Sequence, residues 1–315
     1  MSDDQLFAVR DPESGELGYC SFLGAGGEVF ALTVYPGIDG LRGFRRIAEV
    51  GTGPGSWDMR LYLRCLKAEF ENRGALQPED LGILKDLGVK PRGSKAWPMF
   101  RSLEPRLLPW FLSEAQVRFL AVMTEQAIDI CTRAKRDPAL LVSFDESRVL
   151  TRQGDSLAGW RDVWTPVPDE GERPLEELPL DPFELTQADA LTSTRRGAWE
   201  IDIGCAPFPV QERKADRPYY PAAIMVVERK SGVILGLDLE NAPDPRPGLR
   251  RHMLSIARKL GFAPRTLVTC NPDILVAVKP LADRLGIELK MEPRVPAIEE
   301  AFATLENELA GDFQG

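Results

Sequence analysis

From Trp199 onward the chain reads as three strands in succession followed by alternating helices and strands, and that order leaves few folds open. Residues 199 to 206 (WEIDIGCA) alternate apolar and polar or small side chains, as a half-buried strand does. Residues 220 to 229 (YPAAIMVVER) are almost continuously apolar, and Ser231-Gly232 turns the chain into a third strand at 233 to 240. A helix over 248 to 260 stopping at Gly261, a strand at 265 to 270, a helix over 273 to 285 stopping at Gly286, a strand at 287 to 291 and a helix over 296 to 310 complete the series. Tight turns pair neighbouring strands antiparallel, whereas a helical crossover returns the chain parallel. The order βββαβαβα therefore predicts a mixed sheet, antiparallel in one half and parallel in the other.

The first half of the chain reads as a separate α+β region. Strands are expected at 17 to 23 and 28 to 35, with Gly24, Gly26 and Gly27 between them as a hairpin turn. These glycines lack the lysine and Ser/Thr of a phosphate-binding loop and the strand-to-helix setting of a dinucleotide site. Met59, Leu61, Leu63, Leu66 and Phe70 predict a helix over 57 to 71, and a short helix is expected from Pro78 to Gly88. Ser113 and Gln116 form a capping box ahead of a long amphipathic helix to about Arg136, with strands following at 140 to 150 and 159 to 164. Trp97, Phe100, Arg101, Arg106, Trp110 and Phe111 interleave rings and cations over a Pro-rich loop. Exposed, they would form a stacking surface for a single strand of nucleic acid; packed inward, they would supply core.

The net charge of -9 is concentrated rather than spread. Residues 167 to 190 hold about eight carboxylates against Arg173 alone, while from Arg195 onward acids and bases balance at about seventeen each. The acidic, Pro-rich stretch reads as a connection, giving an N-terminal α+β domain over 1–165, a linker over 166–190 and a C-terminal domain over 191–315. Five scattered cysteines with no CxxC pair, no signal-like N-terminus and no bilayer-length apolar run set the expectation of a cytoplasmic protein with no membrane partner. With His252 the only histidine, a Ser-His-Asp triad or a histidine zinc site has little to be built from.

Trp199 to Asp202, the strand-turn-strand around Glu228 to Gly236, the TCNP of 269 to 272 and the PAIEEAFATL of 296 to 305 resemble the core of retroviral-type integrases and related transposases, which have a ribonuclease H-like fold. The resemblance covers about 110 residues and implies three carboxylates around two divalent ions that clamp the oxygens of a phosphodiester. By position the first is Asp202 and the third Glu299, while the second falls on Cys270. A thiol does not replace a hard oxygen ligand for magnesium, so the implied site lacks a ligand. Asp273 could substitute, or could cap the helix it opens. The whole chain also resembles an uncharacterised bacterial two-domain family, on phrases like DPESGELGYCSFLGAGGEVFALTVYPG (11 to 37) and WPMFRSLEPRLLPWFLSEAQVRFL (97 to 120). That resemblance implies no reaction.

Two readings of the acids stay open. Asp202 shares a strand face with Glu200, so the pair either lines a cleft or is held by partners on that face. Glu299 and Glu300 lie in the first turn of a helix, where a carboxylate favours the dipole whatever its other role. Glu228, Asp238 and Glu240 are further candidates for the same cleft, and Arg250-Arg251-His252 reads as a solvated helix face. The expected function is a non-catalytic binding or regulatory module with no cofactor, whose partner is a protein or a nucleic acid. The alternatives are a nuclease or phosphoryl-transfer enzyme using magnesium or manganese on Asp202, Asp273 and Glu299 or Glu300, and a structural interaction protein.

Overall fold

The structure, a computed structural model, describes residues 5–24, 30–50, 59–142, 147–155, 159–168, 178–191, 194–214 and 216–312. Along the chain run β1 (Phe7–Arg10), β2 (Leu17–Leu23), β3 (Ala31–Pro36), α1 (Gly37–Val50), α2 (Met59–Tyr62), β4 (Cys65–Glu71), α3 (Pro78–Asp86), β5 (Trp97–Leu103), α4 (Glu114–Ala134), β6 (Arg148–Asp155) and β7 (Gly159–Pro166). They are followed by α5 (Pro182–Asp189), β8 (Ala198–Cys205), β9 (Ala222–Glu228), β10 (Ile234–Glu240), α6 (Arg246–Leu260), β11 (Thr266–Thr269), α7 (Pro272–Leu285), β12 (Glu288–Met291) and α8 (Pro296–Asp312). The protein is mixed α+β, with two mixed sheets and eight α-helices among the described residues. It divides into two compact units, one of residues 1–49, 62–105 and 109–170, the other of 50–61, 106–108 and 171–315.

In the first unit the sheet order is β5-β4-β3-β2-β1-β6-β7, antiparallel throughout except where β1 and β6 run parallel. The α4 stripe of Phe119, Leu120, Met123, Ala127 and Ile130 packs on Phe7, Val9, Cys20, Leu32, Val34 and Leu66. Against the opposite face, Leu41 of α1 joins Ala8, Tyr19, Tyr35, Cys65 and Val149. The capping box at Ser113 and Gln116 forms as expected: the Ser113 hydroxyl accepts from Gln116 N at 3.3 Å, and Ser113 N donates to the Gln116 side chain at 2.9 Å.

Three expectations for this unit are corrected. The helix expected over 57 to 71 is a helix only at 59–62, and residues 65–71 form strand β4 between β3 and β5. The aromatic segment from Trp97 is strand β5 rather than a loop; it stands at the sheet edge, where Pro98 costs no ladder bond. The strand expected over 140 to 150 starts at Arg148, after a 3₁₀ turn at Pro138–Leu141. Strand β1 and helix α1 had no counterpart in the sequence reading. Gly26 and Gly27 lie outside the described residues.

In the second unit the sheet order is β10-β9-β8-β11-β12. β8, β9 and β10 pair antiparallel and β8, β11 and β12 pair parallel, as the order βββαβαβα predicts. Trp199, Ile201 and Ile203 of β8 meet α5, α6 and α7 on one face through Ala188, Leu249, Met253, Ile274, Val278 and Leu281. On the other face Val295, Ile298, Ala301 and Phe302 at the start of α8 pack on Ala223, Met225, Val227 and Val268. Gly261 and Gly286 close α6 and α7 in the left-handed conformation, as read from the sequence.

Arg250 is not on a solvated face. It is 3% exposed, donates to Glu184 of α5 at 2.8 Å, and reaches the carbonyls of Leu178 and Pro179, so a buried charge pair fastens the segment before β8 to α6. The second unit also takes in residues 106–108. There Arg106, at φ +60°, donates to the carbonyls of Tyr220, Glu240 and Ala242 at 3.2, 3.0 and 2.7 Å.

Candidate functional site

β8 alternates, so its odd-numbered side chains enter the core under α6 and α7 while Glu200 and Asp202 turn toward α8. Both acids are buried, at 1% and 7% exposure. A carboxylate without partners in such a place is costly, and the partners are identifiable.

Glu200 is bound to the N-terminus of α8. One carboxylate oxygen accepts from the backbone N–H of Ala297 at 2.9 Å and of Ile298 at 3.2 Å, and the other lies 3.5 Å from Arg229 Nε. Arg229 itself holds Glu292 through two bonds of 2.6 and 2.7 Å. The open N–H groups of a helix start and its dipole both favour the anion. Burial nevertheless outweighs these contacts and pushes the Glu200 carboxyl above the ordinary glutamate value.

Asp202 meets Cys270. β11 runs parallel to β8 with Val268 beside Glu200, and two residues on the Cys270 Sγ donates to Asp202 Oδ2 at 3.3 Å. The other Asp202 oxygen accepts from the backbone N–H of Ile203 at 2.8 Å. Burial pushes the Cys270 thiol up to about 12, and the charge of Asp202, its hydrogen bond, and the more distant charge of Glu299 act in the same direction. At neutral pH the sulfur is therefore a protonated hydrogen-bond donor to Asp202 rather than a thiolate nucleophile. His252 is on α6, beside Gly236 and Asp238, and so on the opposite side of the sheet from Asp202.

The remaining candidates separate. Glu299, in the first turn of α8, is held by Arg294, whose Nε lies 3.1 Å from both carboxylate oxygens. Glu300 is exposed. Asp273 occupies the first turn of α7, but the cap there is Asn271, whose side-chain oxygen accepts from Asp273 N at 3.0 Å. The register puts Glu228 beside Trp199, Asp238 beside Ile224 and Glu240 beside Ala222, all on the α6 face and away from Asp202. Glu228 instead closes the hairpin by accepting from Ser231 N and Oγ, both at 2.7 Å. Among the described residues no three His, Cys, Asp or Glu side chains are grouped so as to hold a metal ion.

The helix-capping role of Glu200 had no sequence signal, since it joins residues 97 apart. In the first unit a cavity of about 440 Å³ opens between Arg64, Glu104, Glu16 and Phe119. Arg64 and Glu104 lie 3.5 Å apart across it, and Arg118 on its rim is ion-paired with Glu114.

A two-unit mixed α+β protein with buried acids on a central strand is thus defined by fold and site. Residues 1–152 match the family described as a domain of unknown function (DUF7309), and residues 184–306 match a second such family (DUF6930). Together the two matches fit a two-domain uncharacterised family. No curated protein matches the chain. Among the described residues no helix is long and apolar enough to cross a membrane.

Proposed function

We propose that this is a cytoplasmic bacterial protein acting as a non-catalytic binding or regulatory module, its C-terminal unit being a ribonuclease H-like domain that has lost a metal ligand. The strand order 3-2-1-4-5 within that unit, with its second strand antiparallel to both neighbours, supports the ribonuclease H-like reading. The five free cysteines support a reducing compartment. The domain boundaries that go with this reading are 1–165, a linker over 166–190, and 191–315.

The single observation that carries the proposal is the Cys270 to Asp202 hydrogen bond. Where a metal-dependent nuclease would need a second carboxylate facing Asp202, a protonated thiol faces it instead. Sulfur in that state offers magnesium or manganese no hard anionic oxygen. The competing reading, a nuclease using Asp202, Asp273 and Glu299 or Glu300, draws on the nearness of Glu299 to the same thiol. A nuclease assay on single- and double-stranded substrates in manganese, run beside Asp202→Asn, separates the two. The binding reading expects no cleavage above background from either protein. Manganese-dependent cleavage abolished in Asp202→Asn overturns it.

A further inference from the structure

At one end of the first unit's sheet, three phenylalanine rings stand where α4 no longer covers them. The register runs Phe22, Leu32, Ala68, Phe100 across β2 to β5, and Phe70 faces Pro98 one row further along. Phe30 precedes β3 and accepts at its carbonyl from Phe70 N at 3.0 Å, which places it in that second row. Leu32 belongs to the α4 core, so both rows share the α4 face. Yet Phe30, Phe70 and Phe100 are 46%, 51% and 45% exposed. Neighbouring strand positions of this kind lie about 5 Å apart directly and about 7 to 8 Å diagonally, which suits rings that take successive stacked partners.

Among the described residues, the strands that carry the rings present no acid on the face of the rings. β2, β3 and β5 contain no acid, and the acids of β4, Glu69 and Glu71, alternate with Phe70 onto the other face. The segment between α3 and β5 carries Lys90, Arg92 and Lys95 with no carboxylate between Leu87 and Ala96, and Lys95 lies against one of the rings. Lys95 adopts φ +49°, a conformation that L side chains rarely take. Asn72 holds it there: its side-chain oxygen accepts from Lys95 N at 3.0 Å and Ser94 Oγ at 2.9 Å. The result is an ammonium 5.7 Å from the centre of the Phe30 ring.

We propose that Phe30, Phe70 and Phe100, with Lys95 and the cations of the 87–96 loop, form a docking surface for a single-stranded polynucleotide. Exposed rings accept unpaired bases by stacking and the flanking cations neutralise phosphates, whereas a duplex keeps its base faces to itself. The inference stands on the first unit alone and does not depend on the reading of Asp202 and Cys270.

The test is fluorescence anisotropy of labelled oligo(dT) and oligo(U) with the full chain, against a duplex of equal length, over a range of salt. Saturable single-strand binding is expected, weaker for the duplex, with a log-log salt slope near -2 for about three phosphate contacts. Phe70→Leu and Phe100→Leu keep an apolar side chain but remove a ring, and each should weaken binding about tenfold or more, while Phe100→Tyr should retain it. Thermal unfolding of each variant reports that the fold is intact. A folded protein that binds no oligonucleotide at low salt, or binds it equally well in the Leu variants, overturns the proposal and leaves the patch to a protein partner.

Discussion

Arg250 and Glu184 are each almost fully buried, and neither charge has water to fall back on. Removing one partner of such a pair leaves the other uncompensated, at a cost of about 3 to 5 kcal/mol. Arg250→Met should therefore lose roughly that much in urea denaturation, and Arg250→Met with Glu184→Leu should recover most of it. Glu200 makes a different prediction. Its carboxyl is raised by burial, so as pH falls through that raised value the folded state binds a proton that the unfolded chain does not yet bind. Stability from this group is then greatest below the ordinary glutamate value and declines as pH rises through the raised one. Glu200→Gln can still accept from Ala297 and Ile298 but does not titrate, so the variant's stability should stay flatter across that window, as read by denaturation midpoints at a series of pH values. These two pairings span long separations in sequence, 66 residues for one and 97 for the other. Arg250 looked like a solvated cation for that reason: nothing near it in the chain announces Glu184. The placement of Glu200 and Asp202 on one face was legible, because a strand's alternation is local; that a thiol stands beside Asp202 was implied only by the resemblance, which put Cys270 at that position, and the donor geometry across β8 and β11 had no local signal.

At the level of elements, the misread helix over 57 to 71 shows two periodicities competing. Leu66, Ala68 and Phe70 alternate with Lys67, Glu69 and Glu71, a period of two that the spacing of Met59, Leu63, Leu66 and Phe70 obscured. Pairing with both β3 and β5 decides for strand, and those partners are remote in sequence. Helix α1 escaped notice because Gly37, Gly40 and Gly43 depress its intrinsic propensity by about 1 kcal/mol each relative to alanine. Packing explains Gly43. A methyl group there would come within 2.3 Å of the Tyr62 carbonyl oxygen, a backbone atom that cannot swing aside. Gly43→Ala should accordingly destabilise by about 1 to 3 kcal/mol despite its better helix propensity, measured as a lowered denaturation midpoint with unchanged slope. From β8 onward the second unit was readable because its elements are bounded by local signals, glycine caps and a tight turn among them, and because helical crossovers settle strand direction without distant information; α5, inside the stretch read as a linker, was not.

For the whole molecule, two compact units carry two different features, one buried and one exposed. The second unit has a sheet whose central acids are engaged by a thiol and by a helix N-terminus, and the first has a sheet end with exposed rings and an adjacent ammonium, that of Lys95. The proposed binding function without catalysis draws on the first feature, and the proposed polynucleotide surface on the second. Restoring the missing oxygen is the direct probe of the first: calorimetric titration with manganese of the natural protein and of Cys270→Asp. If Asp202 lacks only a facing carboxylate, the natural protein should show no saturable heat and Cys270→Asp should acquire it, lost again on adding Asp202→Asn. Saturable manganese binding by the natural protein, abolished by Asp202→Asn alone, would contradict this and make the second unit a metal site as it stands.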